Sequence, residues 1–298
     1  MFALSMLPRA GSLAAACAIL AGGLFLFCIY YLYVRHLFSP FRNLPSPAQG
    51  PLWLRLLYEP RLPEIEHWID TIPNEGLIRY HWLFNSERVF ITSPEATKEF
   101  LTTSAYKFVK PKLQYTLANL IAGRGLLILE GEEHKQVRKT LNPAFSPANL
   151  REWFPAQWKA AIDALSIIPR YTDVDVDYAP DDGPQAPFAG VTTIQVPIAA
   201  PSIDILCRQC AEPAVIAGTA IPQGTTVTFS PWALNRDPRH WGPDARVFDP
   251  DRWVANPTTG GADHPYAFAT FGGGPRRCIG EGYARDQLLC VLAAYVGR

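Results

Sequence analysis

The chain has 298 residues, of which 48% are hydrophobic and 18% charged, a composition typical of a folded globular protein and not of a disordered one. Its 27 basic residues equal its 27 acidic residues, so a net charge of zero gives no electrostatic basis for binding nucleic acid. The six cysteines form no regular framework, which argues against a disulfide-stabilised secreted domain.

An uncharged stretch near the N-terminus predicts a transmembrane anchor. No charge occurs in residues 10–34, which is enough chain to cross a bilayer as a helix. A cleaved signal peptide is the alternative, but its apolar region would be shorter, and the following "YVRHLFSP" offers no small-residue cleavage site. Arg35, His36 and Arg42 follow the span while Arg9 precedes it, an excess that places the C-terminal bulk in the cytoplasm.

Prolines are frequent among the residues that follow the anchor. The stretch "SPFRNLPSPAQGP" contains four prolines and a glycine, so it is predicted to be neither helix nor central strand, and residues 35–51 are assigned to a stiff, proline-rich hinge. Beyond the hinge, "GLIRYHWLF" and "RVFIT" flank "NSE" and predict a β-hairpin. The next stretch, "SPEATKEFLTT", predicts a helix that Ser93 caps and Pro94 begins.

Two further helices are predicted before residue 168. The first is "LEGEEHKQVRKTLNPAF", which stops near Asn142 and Pro143. His134 and Arg138 are four residues apart in it, so they share one helix face. The second is "NLREWFPAQWKAAIDALSII".

The character of the chain changes in residues 169–211. Acidic residues, prolines and short β-prone runs are mixed there without a helical period, and a structureless loop of this length is unusual inside a compact domain. Cys207 and Cys210 form a single C-x-x-C without a second pair, which is weak support for a zinc site. Regular patterning returns afterwards, with "IPQG" as a turn and "TTVTFS" as a strand.

The stretch "FGGGPRRCIG" at residues 271–280 places one thiol in a stiff, basic turn before a predicted helix. Consecutive glycines permit a sharp bend, and Pro275 stiffens it. The positive end of the helix, with Arg276 and Arg277, favours the thiolate form of Cys278, which is the form that binds metal. A lone thiolate cannot build a zinc site, but it can supply one axial ligand to an iron held by a porphyrin.

Two other interpretations of this turn stay open on physical grounds. A buried cysteine is most often only a small hydrophobic side chain. A glycine-rich turn before a helix can also hold a phosphate, although neither G-x-G-x-x-G nor the ending of a P-loop is present. The residue chemistry alone leaves a metal ligand and an unreactive thiol about equally plausible.

A resemblance to a known family bears on this choice. Phe271, Gly274, Arg276, Cys278 and Gly280 occupy all five fixed positions of F-x-x-G-x-R-x-C-x-G, and so the turn resembles the haem-binding signature of the cytochrome P450 family. The resemblance implies that Cys278 is the proximal thiolate on the iron, that Arg276 pairs with a haem propionate, and that Phe271 packs beside the sulfur.

Two longer stretches are also similar to segments of that family. They are "IPQGTTVTFSPWALNRDPRHWGPDARVFDPDRW", similar to the stretch before the signature in microsomal members, and "EGEEHKQVRKTLNPAFS", similar to a helix beside the haem. The second similarity implies that His134 and Arg138 contact the propionates. A solvated helix face is the alternative for that pair.

The resemblance implies a mainly α-helical fold with small β-sheets (α+β), in which residues 52–168 and 212–298 are two parts of one haem-thiolate domain and residues 169–211 are unrecognised. It implies a fungal-type, microsomal monooxygenase with haem b, which inserts one atom of O₂ into a small apolar substrate. Electrons would come from NADPH through a cytochrome reductase. The anchor would lie in membrane lipid, in the endoplasmic reticulum, with the catalytic domain facing the cytosol.

Some family features are absent from the sequence. The distal helix with its acid–threonine pair is missing, because "AGVTT" has Thr192 where the acid belongs. No Glu-x-x-Arg helix follows, which predicts that Arg252 has lost its partners, and the chain stops at Arg298 before the family's C-terminal strands. These gaps imply the alternative of a truncated, non-catalytic remnant that does not bind haem stably.

Overall fold

The computed structural model of the chain describes residues 10–167, 205–247, 249, 251–256 and 259–296. Most of the segment predicted to be irregular, residues 169–204, lies outside this part, and so does Thr192.

The predicted anchor is helical. Helix α1, Ala10–Ile29, continues through a π-helical turn, Tyr30–Val34, into α2, Arg35–Leu37. The stretch Ala14–Leu37 is long and apolar enough to cross a membrane, with a mean hydropathy of 2.1, and its apolar window is not buried against the rest of the chain. Residues 38–51 contain neither helix nor strand, in agreement with their prolines.

Several helices of different lengths follow, up to residue 167. They are α3 Leu52–Arg55, α4 Leu62–Thr71, α5 Pro94–Lys98, α6 Lys112–Ala122, α7 Gly131–Leu141 and α8 Pro147–Ile167. The predicted cap at Ser93 is confirmed, since its hydroxyl oxygen accepts a hydrogen bond of 3.2 Å from the Ala96 amide. A π-helical turn, Glu99–Thr103, extends α5. Helix α7 ends where predicted, and Asn142–Phe145 follows as a 3₁₀ turn.

The predicted hairpin is confirmed and forms one edge of a five-stranded sheet. Strands β1, Leu77–Trp82, and β2, Ser86–Ile91, are antiparallel, with Leu77 opposite Ile91. The strand order is β1-β2-β7-β4-β3, in which β3 is Phe108–Val109, β4 is Leu206–Cys210 and β7 is Thr226–Phe229. Strand β7 is parallel to β2, and the remaining neighbours are antiparallel.

Strand β4 comes from the last residues of the segment predicted to be irregular. It lies between β7 and β3, with Leu206 opposite Phe229 and Cys210 opposite Phe108. Its backbone is therefore paired on both sides by strands that are distant in sequence, a tertiary effect that a short local pattern does not reveal.

Both faces of the sheet are buried, because side chains alternate along each strand. One face packs into the largest core cluster, which includes Leu77, Val89, Ile91, Phe100, Phe108, Val227 and Phe229. The other face packs against α4, in a cluster that includes Ile65, Trp68, Ile78, Tyr80 and Phe90.

The described residues after β4 add a small hairpin, three short helices and one long helix to strand β7. They are β5 Ala214–Ile216 and β6 Thr219–Ile221, then α9 Pro231–Leu234, α10 Pro238–Trp241, α11 Asp251–Ala255 and α12 Glu281–Val296. Helix α12 packs along α8, where Cys290 and Ala294 meet Ala161 and Leu165. The predicted helix after the cysteine turn is thus confirmed, and α8 holds it in place.

One expectation about this region is wrong. Arg252 has partners: it forms an ion pair of 2.7 Å with Asp244 and donates a hydrogen bond of 2.7 Å to the carbonyl oxygen of Trp241. Both acceptors come from residues shortly before Arg252 in the chain, so the charge of Arg252 is compensated locally.

Candidate haem-thiolate site

The cysteine turn is closed by its own backbone. Residues Gly274–Arg276 form a 3₁₀ turn, and the Arg277 amide donates to the carbonyl oxygen of Gly274 at 3.1 Å. The Cys278 amide donates to the carbonyl oxygen of Phe271 at 2.9 Å, which joins the two ends of the signature. The turn is therefore a fixed loop that leads directly into α12.

Gly274 is required by both conformation and space. Its φ of +60° lies in the left-handed region, which other residues rarely adopt. A Cβ at this position would also lie 2.1 Å from the carbonyl oxygen of Leu101, in the π-helical turn after α5. Gly280 differs, because a Cβ at this position would lie no closer than 4.0 Å to its nearest neighbour, a ring carbon of Phe145, and the φ of Gly280 lies outside the left-handed region.

Cys278 is the exposed thiol of the folded region. Of the four cysteines after the span, all in the described part, Cys278 alone is exposed, while Cys210 and Cys290 are buried. The Cys210 thiol donates to the carbonyl oxygen of Glu212 at 2.9 Å, and no group of metal-ligating residues found in the described part includes it. The weak C-x-x-C signal for zinc therefore gains no support, and Cys278 is the thiol available to a ligand.

Arg276 is held in place by an acidic residue that the sequence analysis does not identify. Its guanidinium forms an ion pair with Glu130, which also accepts a hydrogen bond of 2.8 Å from the Lys110 ammonium. Burial alone would raise the pKa of Glu130, but the Lys110 hydrogen bond and the charges of Lys110 and Arg276 hold that pKa below its usual range. The Nε of Arg276 is buried and has no hydrogen-bond partner in the described part of the chain.

Helix α7 places His134 and Arg138 close to Arg276 and the cysteine turn. His134 is buried, with its Nδ1 3.3 Å from the hydroxyl oxygen of Tyr106, and the Arg276 guanidinium lies 5.0 Å from the centre of the Tyr106 ring. Burial, aided by the charges of Arg276 and Arg138, lowers the pKa of His134 to about 4, so its imidazole is neutral at pH 7. Arg138 donates to the carbonyl oxygen of Arg277, inside the cysteine turn.

A second carboxylate organises the other side of the turn. Glu281, at the start of α12, accepts hydrogen bonds from Arg277 at 2.7 Å and from Arg285 at 2.8 Å. The Arg285 guanidinium lies 5.5 Å from the centre of the Phe271 ring. A cavity of about 270 Å³ adjoins these groups, and its lining includes Trp253, Tyr266, Phe268, Gly274, Arg277 and Arg285.

The residues missed by sequence reasoning share one property. Leu101, Tyr106, Lys110 and Glu130 lie more than 140 residues before the turn in the chain, and nothing in their local sequence marks them. Only the tertiary fold places these residues beside the signature segment, residues 271–280.

Comparison with known proteins decides the family. A family model for cytochrome P450 matches residues 73–173 and 199–298, which together exceed half of the chain. The chain belongs to the cytochrome P450 family. The interpretation drawn from the cysteine turn is thus confirmed at the level of the family, a family of monooxygenases.

Its relatives include fungal monooxygenases. The cytochrome P450 monooxygenase sphH of Aspergillus fumigatus is 25% identical over 462 aligned positions, which cover 90% of this chain and 84% of that protein. The cytochrome P450 monooxygenase ALT8 of Alternaria alternata is 36% identical over 163 residues, which cover 50% of this chain but only 27% of that protein. The alignment with the Aspergillus protein is longer than this chain, so that relative has residues without a counterpart here.

Solved structures confirm the predicted fold class. CYP175A1 from Thermus thermophilus has a TM-score of 0.62 at 17% identity, covering 85% of this chain and 91% of that chain. A 6-coordinated cytochrome P450, also from Thermus thermophilus, has a TM-score of 0.59 at 17% identity, covering 80% of this chain and 90% of that chain.

Family membership implies a haem iron cofactor, and the described residues fit one side of it. The thiol of Cys278 is exposed on a fixed turn. Near it lie the Nε of Arg276, which is buried and has no partner in the part of the chain that the structure describes, and the buried, neutral imidazole of His134. Thiolate, cation and N–H donors are the groups that an iron porphyrin with two propionates requires.

Proposed function

We propose that this cytochrome P450 binds haem b through Cys278 and inserts one atom of O₂ into a small apolar organic substrate. The observation that carries the proposal is the exposed Cys278 thiol on a turn closed by the hydrogen bond from its own amide to Phe271. A thiolate-ligated haem supplies, when bound, the chemistry of O–O bond cleavage and oxygen insertion.

The residues of the chain have distinct tasks in this proposal. Cys278 donates its thiolate, and the closed turn fixes the direction in which the sulfur points. Arg276 offers its Nε–H, which has no partner among the described residues, and His134 offers a neutral ring N–H, to the negatively charged edge of the cofactor. Arg138 is anchored on the Arg277 carbonyl, so it adds positive charge at the same edge. Phe271 would pack beside the sulfur.

We place this activity at a membrane. The apolar, exposed helix Ala14–Leu37, with Arg35 and His36 at its end and Arg42 after it, supports an anchor with the remaining chain in the cytosol, and the endoplasmic reticulum is the expected membrane. Electrons would come from NADPH through a cytochrome reductase. Deleting residues 1–40 should move the protein from the membrane pellet to the soluble fraction or to aggregates. A full-length chain that washes off membranes in carbonate contradicts the anchor.

A second candidate function is a non-catalytic remnant of such an enzyme. The observation in its favour is that the Aspergillus relative has residues without a counterpart here, while the family model leaves residues 174–198 unmatched. Haem is a large apolar disc that needs protein on both faces. A chain without a distal wall would leave the iron open to water and lose the cofactor.

One experiment separates the two candidates. The 298-residue chain is expressed with a reductase, and haem per chain and coupled substrate oxidation are measured. Stoichiometric haem with coupled turnover supports the enzyme; little haem and uncoupled oxygen reduction support the remnant. In any haem-bound form, the reduced, carbon monoxide-bound spectrum should show the red-shifted thiolate band. Cys278→Ser should abolish that band, and Cys290→Ser should retain it. An unchanged spectrum in Cys278→Ser would rule out the assignment of the ligand.

A further inference from the structure

The first hairpin places a histidine and a carboxylate side by side. In the register of β1 and β2, His81 lies directly opposite Glu87. Side chains that are opposite each other on an antiparallel pair have Cβ atoms about 5 Å apart and lie on the same face of the sheet. His81 is buried, and the Glu87 side chain is only 15% exposed. The two side chains therefore meet in a place that is largely closed to solvent.

A second histidine joins them from the end of the apolar helix. His36 belongs to α2, and the centre of its ring lies 4.9 Å from that of His81, with an angle of 80° between the ring planes. Potential ligand atoms of His36, His81 and Glu87, one from each, all lie within 4.8 Å of one another. We call these three residues the His–His–Glu cluster. Ligand atoms around a tetrahedral zinc ion are about 3.3 Å apart, so shifts of about 1 Å would bring all three to bonding distance.

Strong hydrogen bonds hold the backbone around the cluster. The Gln49 side chain exchanges hydrogen bonds of 2.6 and 2.7 Å with the backbone of His81. The hydroxyl of Ser39, three residues after His36, donates to the Glu87 carboxylate at 2.7 Å. The elements that supply the cluster are thus held together by the protein itself, as a preorganised binding site requires.

The imidazole nitrogens, by contrast, lack strong partners. The Nδ1 of His36 is buried and has no hydrogen-bond partner in the described part of the chain, and its Nε2 is 3.5 Å from the Nε of Arg35. The ring nitrogens of His81 lie 3.3 Å from the side-chain oxygen of Gln49 and 3.4 Å from the guanidinium of Arg79. These contacts are longer than an ordinary N–H hydrogen bond. Buried polar groups in this state require an explanation, and a bound ion is one.

The chemistry of the cluster suits zinc. Two imidazoles and one carboxylate, with water as the fourth ligand, are a zinc donor set, whereas Mg²⁺ and Ca²⁺ prefer oxygen ligands. The Gln49 oxygen favours a proton on Nδ1 of His81, which leaves the Nε2 lone pair for a metal, and ligand histidines are commonly oriented in this way. Burial and then the charge of Arg79 lower the pKa of His81 to about 3, so its imidazole is neutral at pH 7, the form that binds metal.

Positive charge nearby limits the affinity. Arg79 forms an ion pair of 2.5 Å with one oxygen of Glu87, and Arg35 and Arg55 lie close enough to act on the cluster. The second oxygen of Glu87 accepts from the Ser39 hydroxyl at 2.7 Å, and a hydroxyl can rotate away to admit an ion. The carboxylate can therefore bridge the guanidinium and a metal. Because the arginines repel a cation, we expect zinc affinity in the micromolar range and not tighter.

We propose that the His–His–Glu cluster binds one Zn²⁺ ion, which joins the end of the apolar helix to the first hairpin. The ion bonds His36 on the helix, and His81 and Glu87 on the hairpin, so it fixes the angle between the helix and the sheet. The cluster shares no residue with the haem-thiolate site, and the inference does not depend on the function proposed for that site.

Zinc titration of the full chain tests the inference. The chain, purified in detergent without an affinity tag, is stripped with a chelator, kept reduced with a phosphine and titrated with Zn²⁺ in an isothermal calorimeter. One zinc ion per chain should bind, and X-ray absorption at the zinc edge should show nitrogen and oxygen ligands without sulfur. His36→Gln and His81→Gln should each weaken binding at least about tenfold. His67→Gln, which alters an exposed histidine on α4, is the matched control and should bind zinc as the unmodified chain does.

The contrary outcomes are equally specific. An unmodified chain that binds no zinc overturns the inference, and so does unchanged binding in His36→Gln. A sulfur ligand in the unmodified chain places the ion on a cysteine and also overturns it. His36→Cys supplies another zinc ligand at the same position, so it should restore binding with one sulfur in the shell. That gain distinguishes a lost ligand from a lost fold in His36→Gln, and its failure counts against the cluster.

Discussion

Gly274 lies against Leu101 so closely that a Cβ at position 274 would be 2.1 Å from the carbonyl oxygen of Leu101. This contact joins the cysteine turn to the helical segment that follows the hairpin, far away along the chain. It shows that the signature glycine does more than permit a bend. The cysteine turn packs against the core of the N-terminal half, and this packing positions the thiol of Cys278.

We therefore expect Gly274→Ala to destabilise the fold by at least about 2 kcal/mol, since it adds left-handed backbone strain to a clash with an immobile carbonyl. Chemical denaturation of the chain in detergent measures this loss, and haem content should fall with it.

Gly280→Ala is the matched control within the same signature. A Cβ at position 280 would lie 4.0 Å from its nearest neighbour, so the change in stability should stay within about 0.5 kcal/mol. Equal losses at both glycines would contradict the packing argument.

Sequence reasoning predicts those parts of the molecule whose determinants are local. Strands β1 and β2 are visible as alternating runs, and the cap at Ser93 needs only its neighbours. The signature also names the thiol and the arginine. It does not predict Glu130, because an acidic residue at the start of a helix has many ordinary uses and its ion pair with Arg276 depends on tertiary structure.

The same limit explains the two differences between sequence and structure. Strand β4 becomes regular only because β7 and β3 pair with it from distant positions. The resemblance predicts that Arg252 depends on a helix that the sequence lacks, yet Asp244 and the Trp241 carbonyl oxygen supply its partners.

Breaking the Glu130 ion pairs should be costly. The side chains of Lys110 and Arg276 are only 10% and 11% exposed, so Glu130→Gln leaves two largely buried cations without a counter-charge. The expected loss is roughly 2–4 kcal/mol, measured by chemical denaturation.

Glu133→Gln, on the same helix, provides the comparison. Its pair with Arg124 is exposed, at 52% and 67%, so the loss should be below about 0.5 kcal/mol. A loss at Glu133 as large as that at Glu130 would show that burial does not distinguish the two pairs.

His134 should make the fold sensitive to acid. Its pKa is about 4 in the folded state, because of burial and then the charges of Arg276 and Arg138, against about 6.5 in the unfolded chain. The unfolded chain therefore binds the proton more readily. The stabilising contribution is fully present above pH 6.5 and declines as the pH falls from 6.5 towards 4.

Denaturation curves across that range test this, with His134→Phe compared with the unmodified chain. The variant should lose part of the acid dependence; a residual part remains, because burial also lowers the pKa of His81, to about 3. His67→Phe, which alters an exposed side chain on α4, should leave the acid dependence unchanged. Identical curves of stability against pH for all three proteins would show that His134 is not the source of the acid sensitivity.

Cys278 and Cys290 should separate ligation from stability. Cys290 is fully buried where α12 packs on α8, and burial raises the pKa of its thiol, so it acts as a small apolar side chain. In the haem-free chain, Cys290→Ser places a hydroxyl in that apolar contact and should cost about 1–2 kcal/mol, while Cys278→Ser, at an exposed position, should change stability by less than about 0.5 kcal/mol. The spectrum of the reduced, carbon monoxide-bound protein should show the opposite order, with the thiolate band lost only in Cys278→Ser. Thermal denaturation and spectra of the same variants therefore distinguish a role in stability from a role in ligation. If Cys278→Ser unfolds the chain, or if Cys290→Ser removes the band at unchanged stability, the division of roles between the two thiols is wrong.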